Sequence, residues 1–117
     1  MASDFSVNII DSNNPAVKVL ELKGEFDESV LESFREQIDP ILNDSKITTM
    51  VFNLKDLEFI NSKGIGFIVS IHTHLAKDGR SMVICDAQEA VMDVISLVGL
   101  TSIIPYHETC DAALSSI

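Results

Sequence analysis

A chain of 117 residues has the length of one domain, enough to bury about two-thirds of its unfolded surface around a single core, and one domain is expected over residues 1–117. Its 8 basic and 18 acidic side chains leave a formal net charge of −10, which argues against nucleic acid or anionic membrane as the main partner and favours a basic or neutral protein. The longest apolar stretches, such as Gly64 to Ile71, fall far short of the roughly 20 residues that cross a bilayer. The N-terminus carries no basic region followed by an apolar run, so the chain reads as cytoplasmic, with no direct membrane insertion.

Phe5 to Ile10 and Val17 to Leu22 alternate as strands do, and the turn-rich Asp11-Ser-Asn-Asn-Pro15 between them predicts a hairpin. From about Glu28 to Leu42, Val30, Leu31, Phe34, Ile38, Ile41 and Leu42 recur at three or four positions, the mark of one buried helical face, with Asp27 as N-cap. Pro40 sits late in that run and is expected to kink the helix or end it early. Glu25, Asp27, Glu28, Glu32, Glu36 and Asp39 make an acidic band around this helix; Glu32, Glu36 and Asp39 read as its solvated face.

Met50 to Leu54 is a short apolar run interrupted by Asn53, the composition of an inner strand. An acidic loop is expected next. Ile65, Ile68, Val69 and His72 then recur at helical spacing, so the period changes from 2 to 3.6 around Ser62. Asn61 or Ser62 is positioned to cap this helix, and Asp78-Gly79 closes it. Ser81 to Cys85 supplies a fourth strand. Asp86 is expected to open a helix over Ala87 to Val98, punctuated by Gly99, before a short strand at Ile103-Ile104 and a last helix from about Thr109. Cys85 and Cys110 have no CxxC spacing and read as reduced structural thiols.

Helices alternating with the later strands predict an α/β fold: a mixed, mostly parallel sheet of about five strands with about four helices, right-handed crossovers and an antiparallel hairpin at the start. Binding surfaces in such sheets gather at the carboxyl ends of strands. Two places are expected to emerge there together, the patch Gly24-Glu25-Phe26-Asp27 and Ser62. At the second of these, a helix N-terminus with free N–H groups tolerates an anion, so a phosphate on Ser62 would add roughly −1.5 to −2 charges without unfolding the domain.

Other chemistry finds little support. Gly64-Ile-Gly66 lacks the third glycine of a dinucleotide fingerprint and no Gly-Lys-Ser/Thr follows, so close packing of helix on strand is its expected role. His72 and His74 lie two apart, which turns their rings away from each other on a helix, and His107 is remote, so no metal site is expected. No carboxylate cluster or activated nucleophile at recognisable spacing points to an enzyme, and no cofactor is expected.

The stretch Asp56-Leu57-Glu58-Phe59-Ile60-Asn61-Ser62-Lys63-Gly64-Ile65-Gly66 resembles the anti-sigma factor antagonists, small domains of the STAS type (sulfate transporter and anti-sigma factor antagonist). Their loop reads roughly Asp-Leu, two or three variable residues, then Asp-Ser-Ser/Ala-Gly-Leu-Gly. Leu22-Lys23-Gly24-Glu25-Phe26-Asp27 is similar to the family's Gly-Glu-Leu-Asp at the exit of the second strand. Two departures stand out: Asn61 where aspartate is usual, and Lys63 where a second small residue is common.

The resemblance implies a non-enzymatic regulator that binds an anti-sigma factor serine kinase when unmodified and is switched off by phosphorylation of Ser62. A phosphatase is the implied reversing partner, and the free protein is expected to be a monomer or weak dimer. The partner surface implied comprises Gly24, Glu25, Asp27, Phe59, Ile60, Asn61, Ser62, Lys63, Gly64 and Ile65, with Phe59, Ile60 and Ile65 packing against the kinase. The alternative is a STAS scaffold subunit of a signalling assembly or a soluble component of a transport complex.

Overall fold

Side chains alternate across the central strands, and the alternation divides the interior in two. Leu20, Leu22, Met50, Phe52, Leu54, Met82 and Ile84 join one large cluster, whereas Val17, Val19, Val51, Val83 and Cys85 join a smaller one. Strands buried on both faces in this way need cover on both sides. The computed structural model, which describes residues 5–117, shows how that cover is arranged. Residues 1–4 of the expected domain lie outside the described residues.

Strands β1 (Ser6–Asp11), β2 (Val17–Phe26), β3 (Thr49–Ile60), β4 (Ser81–Cys85) and β5 (Tyr106–His107) form one sheet in the order of the chain. β1 and β2 are antiparallel, and every later pairing is parallel. Crossovers of one hand between sequential strands carry their helices to one face. Accordingly α1 (Leu31–Leu42), α2 (Ser62–Lys77) and α3 (Glu89–Leu97) pack on the large cluster through residues such as Phe34, Ile68 and Ile95. The last helix, α4 (Cys110–Ser115), covers the other face through Ala113 and Leu114. The expected α/β sheet of five strands and four helices is therefore present.

Several boundaries differ from the sequence reading. β2 runs through Gly24 to Phe26 and β3 through the expected acidic loop to Ile60, because the two extensions pair with each other. Asp27 caps a 3-10 turn, Glu28–Val30, that precedes α1. Pro40 lies inside α1, which continues to Leu42. Asp86 opens no helix: it adopts a φ of 59°, and its carboxylate accepts from the Cys110 N–H at 2.8 Å. α3 begins three residues later, after Gln88.

Ile103-Ile104 is not a strand either. A 3-10 turn occupies Leu100–Ser102, Ile104 is fully buried, and Tyr106 and His107 pair with Ile84 and Cys85. The Pro105 carbonyl starts this pairing by accepting from Ile84 N at 3.0 Å. Tyr106 anchors it by accepting from Ala87 N through its hydroxyl at 3.1 Å.

Arg80 was unmarked in the sequence. Only 8% exposed, it donates to the carbonyls of Leu42 at 2.5 Å, Asp44 at 3.2 Å and Ile47 at 3.2 Å. These charge-assisted bonds tie the end of α1 to the turn between α2 and β4.

Cys85 and Cys110 are free thiols, the first buried. Burial, then the neighbouring Cys110 and Asp86, pushes the Cys85 thiol far above its ordinary value. Because the thiolate is the nucleophile, iodoacetamide is expected to modify Cys85 in the folded protein only through unfolding. Mass spectrometry of native and urea-treated samples checks this; labelling within minutes in native buffer would show that the contact between β4 and α4 opens locally.

Candidate modification and partner-binding site

Pairing of β2 with β3 brings the two sequence patches together: Glu25 lies opposite Phe59, and Phe26 opposite Ile60. The pairing is irregular on the way. Glu21 to Asn53 is followed by Lys23 to Asp56, and Gly24 to Leu57 by Glu25 to Phe59, so β3 gains one residue at each step. Extra residues of this kind bend a strand and re-aim its side chains. At the first step, Asn53 Oδ1 accepts from Lys55 N at 2.9 Å. At the second, Gly24 takes a φ of 95°, a conformation that favours glycine, and both Glu58 and Phe59 turn outward.

The effect on Phe59 is plain. Five of the six phenylalanines form a ring-contact cluster in which Phe26 meets Phe5 at 5.1 Å, Phe34 at 5.2 Å and Phe67 at 6.2 Å, and Phe34 meets Phe52 at 6.3 Å. Phe59 is outside it and 47% exposed. Ile60 and Ile65, expected beside it on the partner surface, are instead core residues, 3% and 8% exposed. Their burial where the end of β3 meets the first turn of α2 supports the surface without adding apolar contact area to it.

Asn61 is the hinge of the site. Extended at φ −109° and ψ −178°, it caps α2 by accepting from Gly64 N through Oδ1 at 3.0 Å. Its backbone N–H donates to Phe26 O at 3.2 Å and its carbonyl accepts from Ile65 N at 3.0 Å. Its Nδ2 donates to Glu28 Oε2 at 2.8 Å. Of the two expected caps, Asn61 takes the role, which leaves Ser62 as the first helical residue, exposed, with no hydrogen bond to its hydroxyl among the described residues. Lys63 follows, also exposed.

The N–H groups of Ser62 and Lys63 have no intrahelical acceptor, and no acidic residue lies in the first turn of α2. Nearby, Asp27 is turned into its own loop, where the Ser29 hydroxyl and then the Ser29 N–H hold its carboxyl below the usual carboxylate range. That contribution is present above the ordinary range and is lost as pH falls through the lowered value. Glu28, missing from the sequence-predicted set, joins the site through Asn61. It lies 33 positions away, and no local pattern announces such a contact.

The two glycines of Gly64-Ile-Gly66 have different reasons. A Cβ on Gly64 would stand 2.9 Å from Phe26 O and 3.0 Å from Ile60 Cγ1, so only glycine lets α2 approach the strands. Gly66 is exposed and a Cβ there would meet nothing within 4 Å, which corrects the packing role expected for it. Gly66→Ala is accordingly expected to stabilise the fold by about 1 kcal/mol through helix propensity. A lower melting temperature for this variant would refute the open geometry.

Clefts of about 350 and 370 Å³ lie elsewhere, one beside Ser12, Asn14 and Asp111 and one beside Thr49, Ser81 and His107, and neither includes the site residues. Among the described residues, no group of three or more His, Cys, Asp or Glu is placed to hold a metal ion, and no helix is long and apolar enough to cross a membrane. The site is a surface patch with a half-exposed aromatic ring, an exposed serine hydroxyl and several carboxylates.

Known proteins share this arrangement of elements. The chain is 28% identical over 113 residues to an anti-sigma F factor antagonist of Paenibacillus polymyxa, covering 97% of each. A crystal structure of an anti-sigma factor antagonist from Mycobacterium paratuberculosis superimposes with a TM-score of 0.86 at 24% identity, covering 97% of this chain and 94% of that one. The anti-sigma factor antagonist SpoIIAA in its unphosphorylated form gives a TM-score of 0.79 at 21% identity, covering 95% of each chain. The phosphorylated form of the same Bacillus protein gives 0.73 at 20% identity, covering 95% of this chain and 98% of that one. The family model of the STAS domain matches residues 8–113, and the chain belongs to the STAS domain family.

Proposed function

We propose that this protein is an anti-sigma factor antagonist: unmodified, it binds an anti-sigma factor serine kinase and so frees a sigma factor, and phosphorylation of Ser62 switches it off. The observation that carries the reading is Ser62 itself, exposed at the first position of α2 beside the outward Phe59. Likeness to antagonists over nearly the whole chain supports it. The protein acts by occupying its partner, as a monomer or weak dimer, and no reaction is assigned to its own side chains.

Physically, modification is tolerated by the fold and not by the complex. Phosphate on Ser62 meets free N–H groups and the positive end of the helix dipole, with Lys63 adjacent. In a complex, the same group is driven into a surface that packs Phe59, and burying an unpaired phosphate there is costly. Hydrolysis by a phosphatase restores the binding surface. The carboxylates of Glu25, Asp27, Glu28 and Glu58 steer a basic partner and raise its association rate more than its final affinity.

A pull-down from lysate of the native host tests the reading, with wild-type and Ser62→Asp baits side by side and mass-spectrometric identification. Recovery of a serine kinase by wild type alone is the expected result. Equal recovery of scaffold or transport subunits by both baits would overturn it.

A further inference from the structure

The contact between Asn61 and Glu28 does more than close the cap. A carboxamide is two-ended: Oδ1 of Asn61 is committed to Gly64 N, which obliges Nδ2 to point outward as a donor, and Glu28 Oε2 receives it at 2.8 Å. Glu28 is exposed, and an exposed glutamate unheld by a partner samples many rotamers. Here its carboxylate is held against the residue that precedes Ser62. Asp27, one residue earlier, is occupied by Ser29.

An aspartate at position 61 would preserve the cap, since its oxygen accepts from Gly64 N equally well, but would set two carboxylates against each other. Asn61 and Glu28 are thus complementary: one supplies the neutral donor, the other the charge. We propose that Glu28 is a recognition residue for the phosphorylating partner, with Asn61 as the positioning residue that holds its carboxylate beside Ser62 to meet a basic group of the kinase. This inference rests on the reading of Ser62 as the phosphorylation site. It assigns kinase recognition to the turn between β2 and α1, separate in sequence from the helix that carries the acceptor hydroxyl.

The test uses soluble extract of the native host with ATP as the kinase source and reads phosphate on Ser62 by mass spectrometry over a range of substrate concentrations. Glu28→Gln keeps an oxygen for the Asn61 donor and removes only the charge, so its melting temperature is expected to match wild type while kcat/KM falls about tenfold, mainly through KM. Moving the charge back by Asn61→Asp in the Glu28→Gln background is expected to restore the rate, a rescue that a merely structural contact would not produce. Equal kcat/KM for wild type and Glu28→Gln would overturn the role of Glu28 and leave the Ser62 assignment standing. Absence of phosphate on wild-type Ser62 would overturn both.

Discussion

Replacing Ser62 with aspartate is expected to weaken binding of the protein partner by at least about a hundredfold, about 2.7 kcal/mol, while Ser62→Ala binds as wild type does. The asymmetry follows from where the side chain sits. At the first position of α2 a carboxylate interacts favourably with the helix dipole, worth about 0.3–1 kcal/mol to the isolated domain. In the proposed complex the same charge would have to shed water against the ring of Phe59, and an unpaired buried charge is strongly disfavoured. Stability and affinity are therefore expected to move in opposite directions. Titration calorimetry with the partner recovered by pull-down, alongside thermal melting of each variant, measures both. Equal affinity of Ser62→Asp and Ser62→Ala would end the reading of Ser62 as a switch.

Gly64→Ala carries the largest expected cost to the fold. The added methyl would stand 2.9 Å from Phe26 O and 3.0 Å from Ile60 Cγ1, and neither neighbour can yield freely. Phe26 O already accepts from Asn61 N at 3.2 Å, Phe26 is fully buried, and Ile60 is 3% exposed. Overpacking of this kind costs about 3 kcal/mol, well above the helix-propensity gain of about 1 kcal/mol that alanine brings. A fall in melting temperature of about 10 °C is expected, and Gly66→Ala, which gains the same propensity without the clash, is the control. Equal melting of Gly64→Ala and wild type would mean that α2 stands further from the strands.

Much of this was legible because buried strands and amphipathic helices leave periodic traces. The inner strand over Met50 to Leu54 and the second helix from Ser62 follow from hydrophobic period and turn residues, and the gathering of Gly24–Asp27 with Ser62 follows from both lying at the carboxyl ends of neighbouring strands. What escaped has physical causes. Lys55, Asp56 and Glu58 read as loop because extra residues in β3 interrupt the period-2 signal, and only the facing extension of β2 makes them strand. Ile103-Ile104 carries strand propensity, yet Ile104 is consumed by the core and pairing waits for Tyr106. Ile60 and Ile65 belong to the partner surface that the family resemblance implies, whereas their facing turns both into the core. Glu28 joined the site through a side-chain bond that spans two elements and has no sequence period.

The order of strands along the sheet has a bearing on synthesis. Each strand pairs with the one that left the ribosome just before it. Val17 meets Thr49 and Thr49 meets Ser81, so two successive closures span equal lengths of chain and carry similar entropic costs. The elements that build the Ser62 surface, from β2 to α2, are all translated before β4 begins. Such a layout lets the sheet grow from its first hairpin outward as the polypeptide emerges. The proposed partner surface is then complete in translation before β4 begins, and the later elements extend the sheet and seal its second face.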